Sequence, residues 1–316
     1  MTRRRLGRAG TTISPLVLGA NVFGWTADKE TSFAILDRFA EAGFEAIDTA
    51  DAYSTWVPGH SGGESESIIG EWMATRRRRD RTVVITKVGS EMGPGKKGLS
   101  ADYIAQAIDA SLRRLRTDYV DVYLSHWPDP SVPYEETLRA FERLITAGKV
   151  REIGASNLDA AQLREALDAA AEKKLPRYAV LQPEYNLYDR DRFEGPLRDL
   201  TISEGIDVIT YFSLAKGFLT GKYRSAADLG QSPRGALVQA YLNPRGERVL
   251  AALDRVAAAH HAQPAEVALA WVMAQPGVTA PIASATTVTQ VESLVRSAAI
   301  DLSSDDLAEL DAASAV

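Results

Sequence analysis

The chain has 316 residues, 45% hydrophobic and 25% charged, an ordinary globular composition with room for a large core. Its 36 basic and 42 acidic residues leave a net charge of −6, which disfavours nucleic acid as a partner because phosphate backbones attract basic surfaces. There is no cysteine, which excludes disulfides, thiolate catalysis and cysteine metal sites.

The first residues, "MTRRRLGRAGTTISPLVLGA", start basic but hold no continuous apolar stretch, so no signal peptide is expected. No apolar run reaches the roughly eighteen residues a membrane span needs, and a cytoplasmic protein is expected. Residues 3–19 read as a strand, a turn around Gly10 and a second strand. Short apolar runs that suit buried strands then follow at 16–19, 45–48, 82–86, 119–124, 151–155, 178–182, 206–210 and 278–282. Between them lie helical patterns. Residues 100–115 open with Ser100 as N-cap, 134–150 carry Gly148 as a stop, and 157–173 have Asp159 near the start. Two more, at 248–261 and 263–277, precede the last strand. Eight strands alternating with helices, without a linker or composition break, predict one α/β domain over 1–316. The fold is a (β/α)8 TIM barrel whose N-terminal β-hairpin caps the barrel bottom.

Two stretches invite other readings. "RRRRDR", residues 76–81, is basic, but cations also suit the negative end of a helix, and a helix end is expected there. "GHSGG", residues 59–63, matches the G-x-S-x-G nucleophile elbow, which needs a strand directly before its serine. The nearest strand ends at Asp48, and Pro58 precedes Ser61, so a mobile loop leading into a helix is expected instead. The only histidines are His60, His126, His260 and His261. They form no H-x-H pair, so no metal is expected, and the last two fall on a helix with no role.

In such a barrel the chemistry collects at the C-terminal strand ends. Asp48, Lys87, His126, Ser156, Asn157, Gln182, Tyr211 and Ser284 occupy those positions. Asp48, Lys87 and His126 are each separated by 39 residues, so their side chains can recur around one mouth. Tyr53 lies in the loop above Asp48. A tyrosine has a pKa of about 10, too high for easy proton donation near neutrality. A neighbouring ammonium would lower it, an aspartate would hold that lysine, and a neutral histidine would bond a carbonyl oxygen. This set donates a proton to a forming alkoxide but supplies no hydride, so it requires a reduced cofactor.

"DTADAY", "TK", "LSHWPD", "GASN" and "QPEYN", in that order, with "ITYFSLAKGFLTGKY" at the seventh strand, resemble the aldo-keto reductase family in its bacterial form over nearly the whole chain. The resemblance implies reduction of an aldehyde or ketone with NADPH and without metal, on a small-molecule carbonyl such as a sugar. Tyr53 would be the general acid, Lys87 and Asp48 its tuning pair, and His126 would orient the carbonyl. Ser156, Asn157 and Gln182 would meet the nicotinamide carboxamide, and Tyr211 would stack on its ring. Leu214 and Lys216 would follow the pyrophosphate, and Ser284, Thr286 and Gln290 the adenosine end. Trp25, Trp56 and Trp127 are expected to wall the substrate pocket. Two departures stand out. Ser213 replaces a proline common in the family, which predicts a less rigid loop. Thr286 and Thr287 stand where relatives often carry a basic residue for the 2′-phosphate, which keeps NADH as an alternative. The resemblance extends to potassium-channel β-subunits, so a redox-sensing regulatory subunit with slow turnover is the second reading. Monomers and tetramers both occur among such proteins, and the oligomeric state stays open.

Overall fold

The hairpin forms from β1 (Arg4–Arg5) and β2 (Thr12–Ile13), paired antiparallel in a computed structural model that describes residues 2–315. Eight parallel strands then close a barrel in chain order. They are β3 (Val17–Gly19), β4 (Ala46–Asp48), β5 (Val83–Val88), β6 (Val120–Ser125), β7 (Val150–Ser156), β8 (Val180–Gln182), β9 (Asp207–Thr210) and β10 (Val278–Ala283), with β10 pairing β3. Each expected strand is present within two residues of its expected ends.

Around the barrel run α1 (Lys29–Glu41), α2 (Glu64–Arg76), α3 (Ala101–Leu115), α4 (Tyr134–Thr146), α5 (Ala160–Lys173) and α6 (Pro196–Glu204). After β9 come the short α7 (Gly235–Val238), then α8 (Pro244–Ala259) and α9 (Pro264–Ala274); α10 (Val288–Ser297) and α11 (Ser304–Ser314) follow β10. Local chemistry sets the starts. Ser100 caps α3 through the Tyr103 N–H, and Asp159 with Gln162 builds a capping box on α5. The helix expected from residue 248 begins four residues earlier. Asn243 caps it through the Gly246 N–H, and Pro244, which needs no N–H partner, takes its first position. Residues 76–81 end α2 as expected, with Arg77 in the left-handed region at φ 52°.

The barrel interior follows the two-residue period of a strand. Ala46, Ile85, Leu124, Val180, Ile209 and Ile282 point inward into one apolar cluster. Two residues further along each strand, on the same face, stand Asp48, Lys87, His126, Gln182, Tyr211 and Ser284. The 39-residue spacing has a register behind it. Asp48 pairs with Ile85, two residues short of Lys87, and Lys87 pairs with Leu124, two short of His126. A stagger of two keeps the side chains on one face as the tilted strands climb.

The opposite end is plugged. Leu6 and Ile13 of the hairpin are fully buried in the interior cluster. The Arg4 guanidinium donates to the carbonyls of Met273, Val278 and Thr279, and the Gly7 N–H donates to Asp207 at 2.8 Å. Asp207, Val278 and Thr279 sit at the N-terminal ends of β9 and β10, and Met273 near the end of α9, so the hairpin covers that end of the barrel.

Gly154 in β7 shows how tightly the strands meet. A Cβ there would fall 2.2 Å from the Val180 carbonyl oxygen and 2.7 Å from Leu124. Gly154→Ala is expected to push β8 away from β7 and cost about 3 kcal/mol of stability. A denaturation midpoint unchanged from the parent would contradict this packing.

Candidate active site

The Lys87 ammonium is fully buried, and each of its three N–H donors has an acceptor. One goes to Asp48 Oδ2 at 2.8 Å, one to the Thr49 carbonyl at 2.7 Å and one to Tyr53 Oη at 3.1 Å. Gln182 Nε2 donates to the other Asp48 oxygen at 2.8 Å, so both carboxylate oxygens are held by N–H donors. Because Tyr53 Oη accepts from Lys87, its own O–H remains free to donate elsewhere. The Tyr53 and His126 rings meet edge to face at 6.0 Å.

Burial and charge compete here. Burial acts against the Lys87 cation, yet the Asp48 carboxylate and the Tyr53 oxygen outweigh it and raise its pKa above the usual lysine range. Burial pushes the Asp48 carboxyl up, against the pull of Lys87 and Gln182; with donors on both oxygens it is the ionised partner of the pair. Burial first, then the Lys87 charge, holds His126 well below the ordinary histidine range, so its imidazole is neutral. Tyr53 corrects the expectation of a lowered pKa. Lys87 pulls it down, but desolvation is larger and leaves it raised. The phenol is therefore a firmly protonated donor rather than a phenolate.

A hydrogen-bonded chain fixes His126. Trp127 Nε1, which can only donate, donates to Ser90 Oγ at 3.1 Å, and Ser90 Oγ lies 2.9 Å from His126 Nδ1. The chain is satisfied when Ser90 donates to Nδ1, which leaves the ring proton on Nε2.

These groups open onto a cavity of about 740 Å³ that runs from Trp56 and Trp127 past Tyr53 and His126 to Ser284 and Gln290. Every residue expected at the cofactor lines it: Ser156, Asn157, Gln182, Tyr211, Leu214, Lys216, Ser284, Thr286 and Gln290. Several are bonded to one another. Tyr211 Oη donates to Asn157 Oδ1 at 2.7 Å, Asn157 Nδ2 donates to the His126 carbonyl at 2.8 Å, and Ser156 Oγ donates to the Gln182 carbonyl at 2.7 Å. Ser284 donates to Asn21, and the Thr286 N–H to Gln290 Oε1. The loop at Ser213, expected to be less rigid for want of the proline common in the family, is braced by its own contacts. The buried Ser213 hydroxyl bonds the Thr210 carbonyl at 2.9 Å, and Phe212, Ala215 and Lys216 all hold positive φ. Such strained non-glycine residues persist only where surrounding contacts fix them.

Of the three tryptophans, Trp56 and Trp127 line the cavity and are about half exposed. Trp25 stands one layer back, edge-on to Trp56 at 5.7 Å, with the Arg234 guanidinium 5.4 Å over its ring. Arg234 and Lys222 line the same cavity, and strand-end reasoning misses both because they lie on the long excursion between β9 and β10. Ser90, three residues past Lys87, is within reach of that reasoning. The "GHSGG" segment is a loop. Ser61 is exposed, no strand precedes it after Asp48, and His60 bonds Ser54 rather than Ser61. His260 caps α8 outside the barrel and bonds Asp306.

Beside the site, Asp51 is 1% exposed, and neither carboxyl oxygen has a partner among the described residues. Burial, and then the nearby Glu66 charge, push its pKa up to about 8. A raised folded pKa means the native state holds the extra proton. The stability it contributes is complete below the unfolded value and is lost as pH rises toward 8. Between those limits wild-type stability is expected to fall by up to about 1.4 kcal/mol per pH unit from this group. Asp51→Asn is expected to gain on the wild type as pH rises from 5 to 8, read from denaturation midpoints. A constant difference across that range would contradict the assignment.

The chain matches the sequence model of the Aldo/keto reductase family over residues 15–315. It is 32% identical to Protein tas of Escherichia coli, over 99% of this chain and 97% of that protein. It is 33% identical to norsolorinic acid reductase of Emericella nidulans, over 96% and 79%. It is 35% identical to a probable voltage-gated potassium channel subunit beta of Oryza sativa, over 92% and 89%. With the barrel and the strand-end side chains described above, this chain belongs to the aldo/keto reductase family, whose members are NAD(P)H-dependent oxidoreductases acting on carbonyl compounds.

Proposed function

We propose that this chain reduces an aldehyde or ketone to the alcohol in the cytoplasm, with NADPH as the first cofactor and Tyr53 as the proton donor. The observation that carries the reading is the Tyr53 hydroxyl. It accepts from the buried Lys87 ammonium at 3.1 Å and keeps its own proton for a ligand in the cavity.

The cavity suits a dinucleotide in size and in charge. Lys216, Lys222 and Arg234 line it, and the Arg234 guanidinium has no carboxylate within ion-pair distance among the described residues. Those cations would hold the pyrophosphate, while Asn157 and Gln182 would meet the carboxamide beneath Tyr211. When bound, the nicotinamide supplies the hydride that the side chains lack.

The protein's own groups handle the oxygen. His126, neutral and protonated on Nε2 through Ser90, donates a hydrogen bond to the substrate carbonyl oxygen and holds it beside Tyr53. As negative charge grows on that oxygen, Tyr53 Oη transfers its proton. Lys87 then stabilises the phenolate left behind, and Asp48 keeps Lys87 charged and aimed. The raised pKa of the resting phenol prevents early proton loss; Lys87 becomes most useful as the charge develops. Trp56 and Trp127 offer apolar faces to the body of the substrate.

Tyr53→Phe removes the donor but no lining residue beyond one hydroxyl. Turnover is expected to fall by about 10³-fold, with the NADPH dissociation constant within about threefold of wild type. Wild-type turnover in that variant would remove Tyr53 from the role. At the adenosine end the lining groups are Ser284, Thr286 and Gln290, all neutral. NADPH is therefore expected to be preferred over NADH by no more than about tenfold, and Thr286→Lys is expected to widen the gap by about another tenfold. Paired titrations with the two nucleotides measure both; a wild-type preference of about a thousandfold would contradict this account of the phosphate site.

A further inference from the structure

The barrel has a second cavity, of about 870 Å³, at the end opposite the mouth, between the hairpin and the N-terminal ends of the strands. Its charged lining is uneven: five arginines, Arg3, Arg78, Arg79, Arg81 and Arg151, against the carboxylates of Glu45, Asp80 and Asp121. Two of the carboxylates are already neutralised. Arg79 and Arg151 take the two oxygens of Asp121 at 2.9 and 3.0 Å and stack on either side of Tyr119, while Arg3 pairs with Glu45 at 2.9 Å. Asp80 is exposed and outside any ion pair among the described residues.

Arg78 and Arg81 are left over. Neither guanidinium has a carboxylate within ion-pair distance among the described residues. The Arg78 Nε is buried and has no acceptor among the described residues, its guanidinium lying 5.9 Å over the Trp72 ring. An arginine cannot shed its proton, so this donor stays charged and unsatisfied, a cost that proteins rarely carry without a partner. Phe44, Ala40 and Ile145 supply an apolar wall to the same recess. A concave site of this volume suits a small molecule. Two guanidinium forks without a carboxylate partner among the described residues favour a group with at least two negative charges.

We propose that this recess is a second binding site, for a small phosphorylated compound whose phosphate meets Arg78 and Arg81. It is separate from the mouth cavity, shares no lining residue with it and goes beyond the reductase reading. The run at residues 76–81 then has two uses: it closes α2, and its later arginines turn toward the recess.

The test is a calorimetric titration of the full chain with inorganic pyrophosphate, in excess NADPH so that the mouth-cavity cations are already occupied. The variants are Arg78→Gln, Arg81→Glu and, as a control for the mouth cavity, Lys216→Ala with Arg234→Ala. Arg81 is exposed and makes no side-chain bond among the described residues, so Arg81→Glu is expected to fold even where Arg78→Gln weakens the packing. The expected result is saturable binding that weakens roughly tenfold or more in each underside variant and persists in the mouth-cavity variant. No binding to the wild type at millimolar pyrophosphate overturns the proposal. So does binding lost only in the mouth-cavity variant, or binding weakened equally in all variants.

Discussion

A lysine ammonium without water is the constraint around which this molecule is arranged. Lys87 has no exposed surface, and a buried charge costs several kcal/mol unless it is paired and fully hydrogen-bonded. Three acceptors, from Asp48, Thr49 and Tyr53, satisfy its three donors. Two of them come from β4 and the residue following it, the third from the loop above. The arrangement orders the loop as well as the charge, since the Tyr53 hydroxyl cannot leave without orphaning a buried N–H.

The barrel makes the arrangement possible through a period of two and a constant register. Apolar residues fill the interior layer, and the next inward position on six of the eight strands is polar, from Asp48 through Lys87, His126, Gln182 and Tyr211 to Ser284. The hairpin seals the far end with Leu6, Ile13 and Arg4, which leaves the polar layer open on the mouth side alone. The long excursion after β9 then brings cations over that mouth. The scaffold thus divides the work. Strands set Asp48, Lys87, His126 and Gln182 with little freedom, while loops carry the tryptophans, Lys216 and Arg234, whose neighbours decide what fits.

Most of this was legible in the sequence because it rests on local periodicity. Eight short apolar runs, caps such as Ser100 and Asp159, and the equal spacing of Asp48, Lys87 and His126 all report strand-and-helix repetition. What could not be read depends on contacts distant in sequence. Arg234 reaches Trp25 across some two hundred residues, and no strand end points to it. The balance at Tyr53 between desolvation and the Lys87 charge is a matter of enclosure, which residue types alone do not encode. Pro244 as a helix start was missed because proline reads as a breaker until the Asn243 cap before it is weighed. The orphan carboxyl of Asp51 looked like one more polar residue in "DTADAY"; only burial marks it out.

The central claim is that this site couples proton donation from the protein to hydride delivery onto a carbonyl carbon. The most direct measurement is a single turnover with NADPH deuterated at the transferable C4 position, with a panel of aldehydes and ketones, reading the alcohol by mass spectrometry. The account predicts one deuterium on the new carbinol carbon, formed in step with loss of NADPH absorbance. NADPH that binds but is never consumed across the panel, or an alcohol without the label, would contradict it.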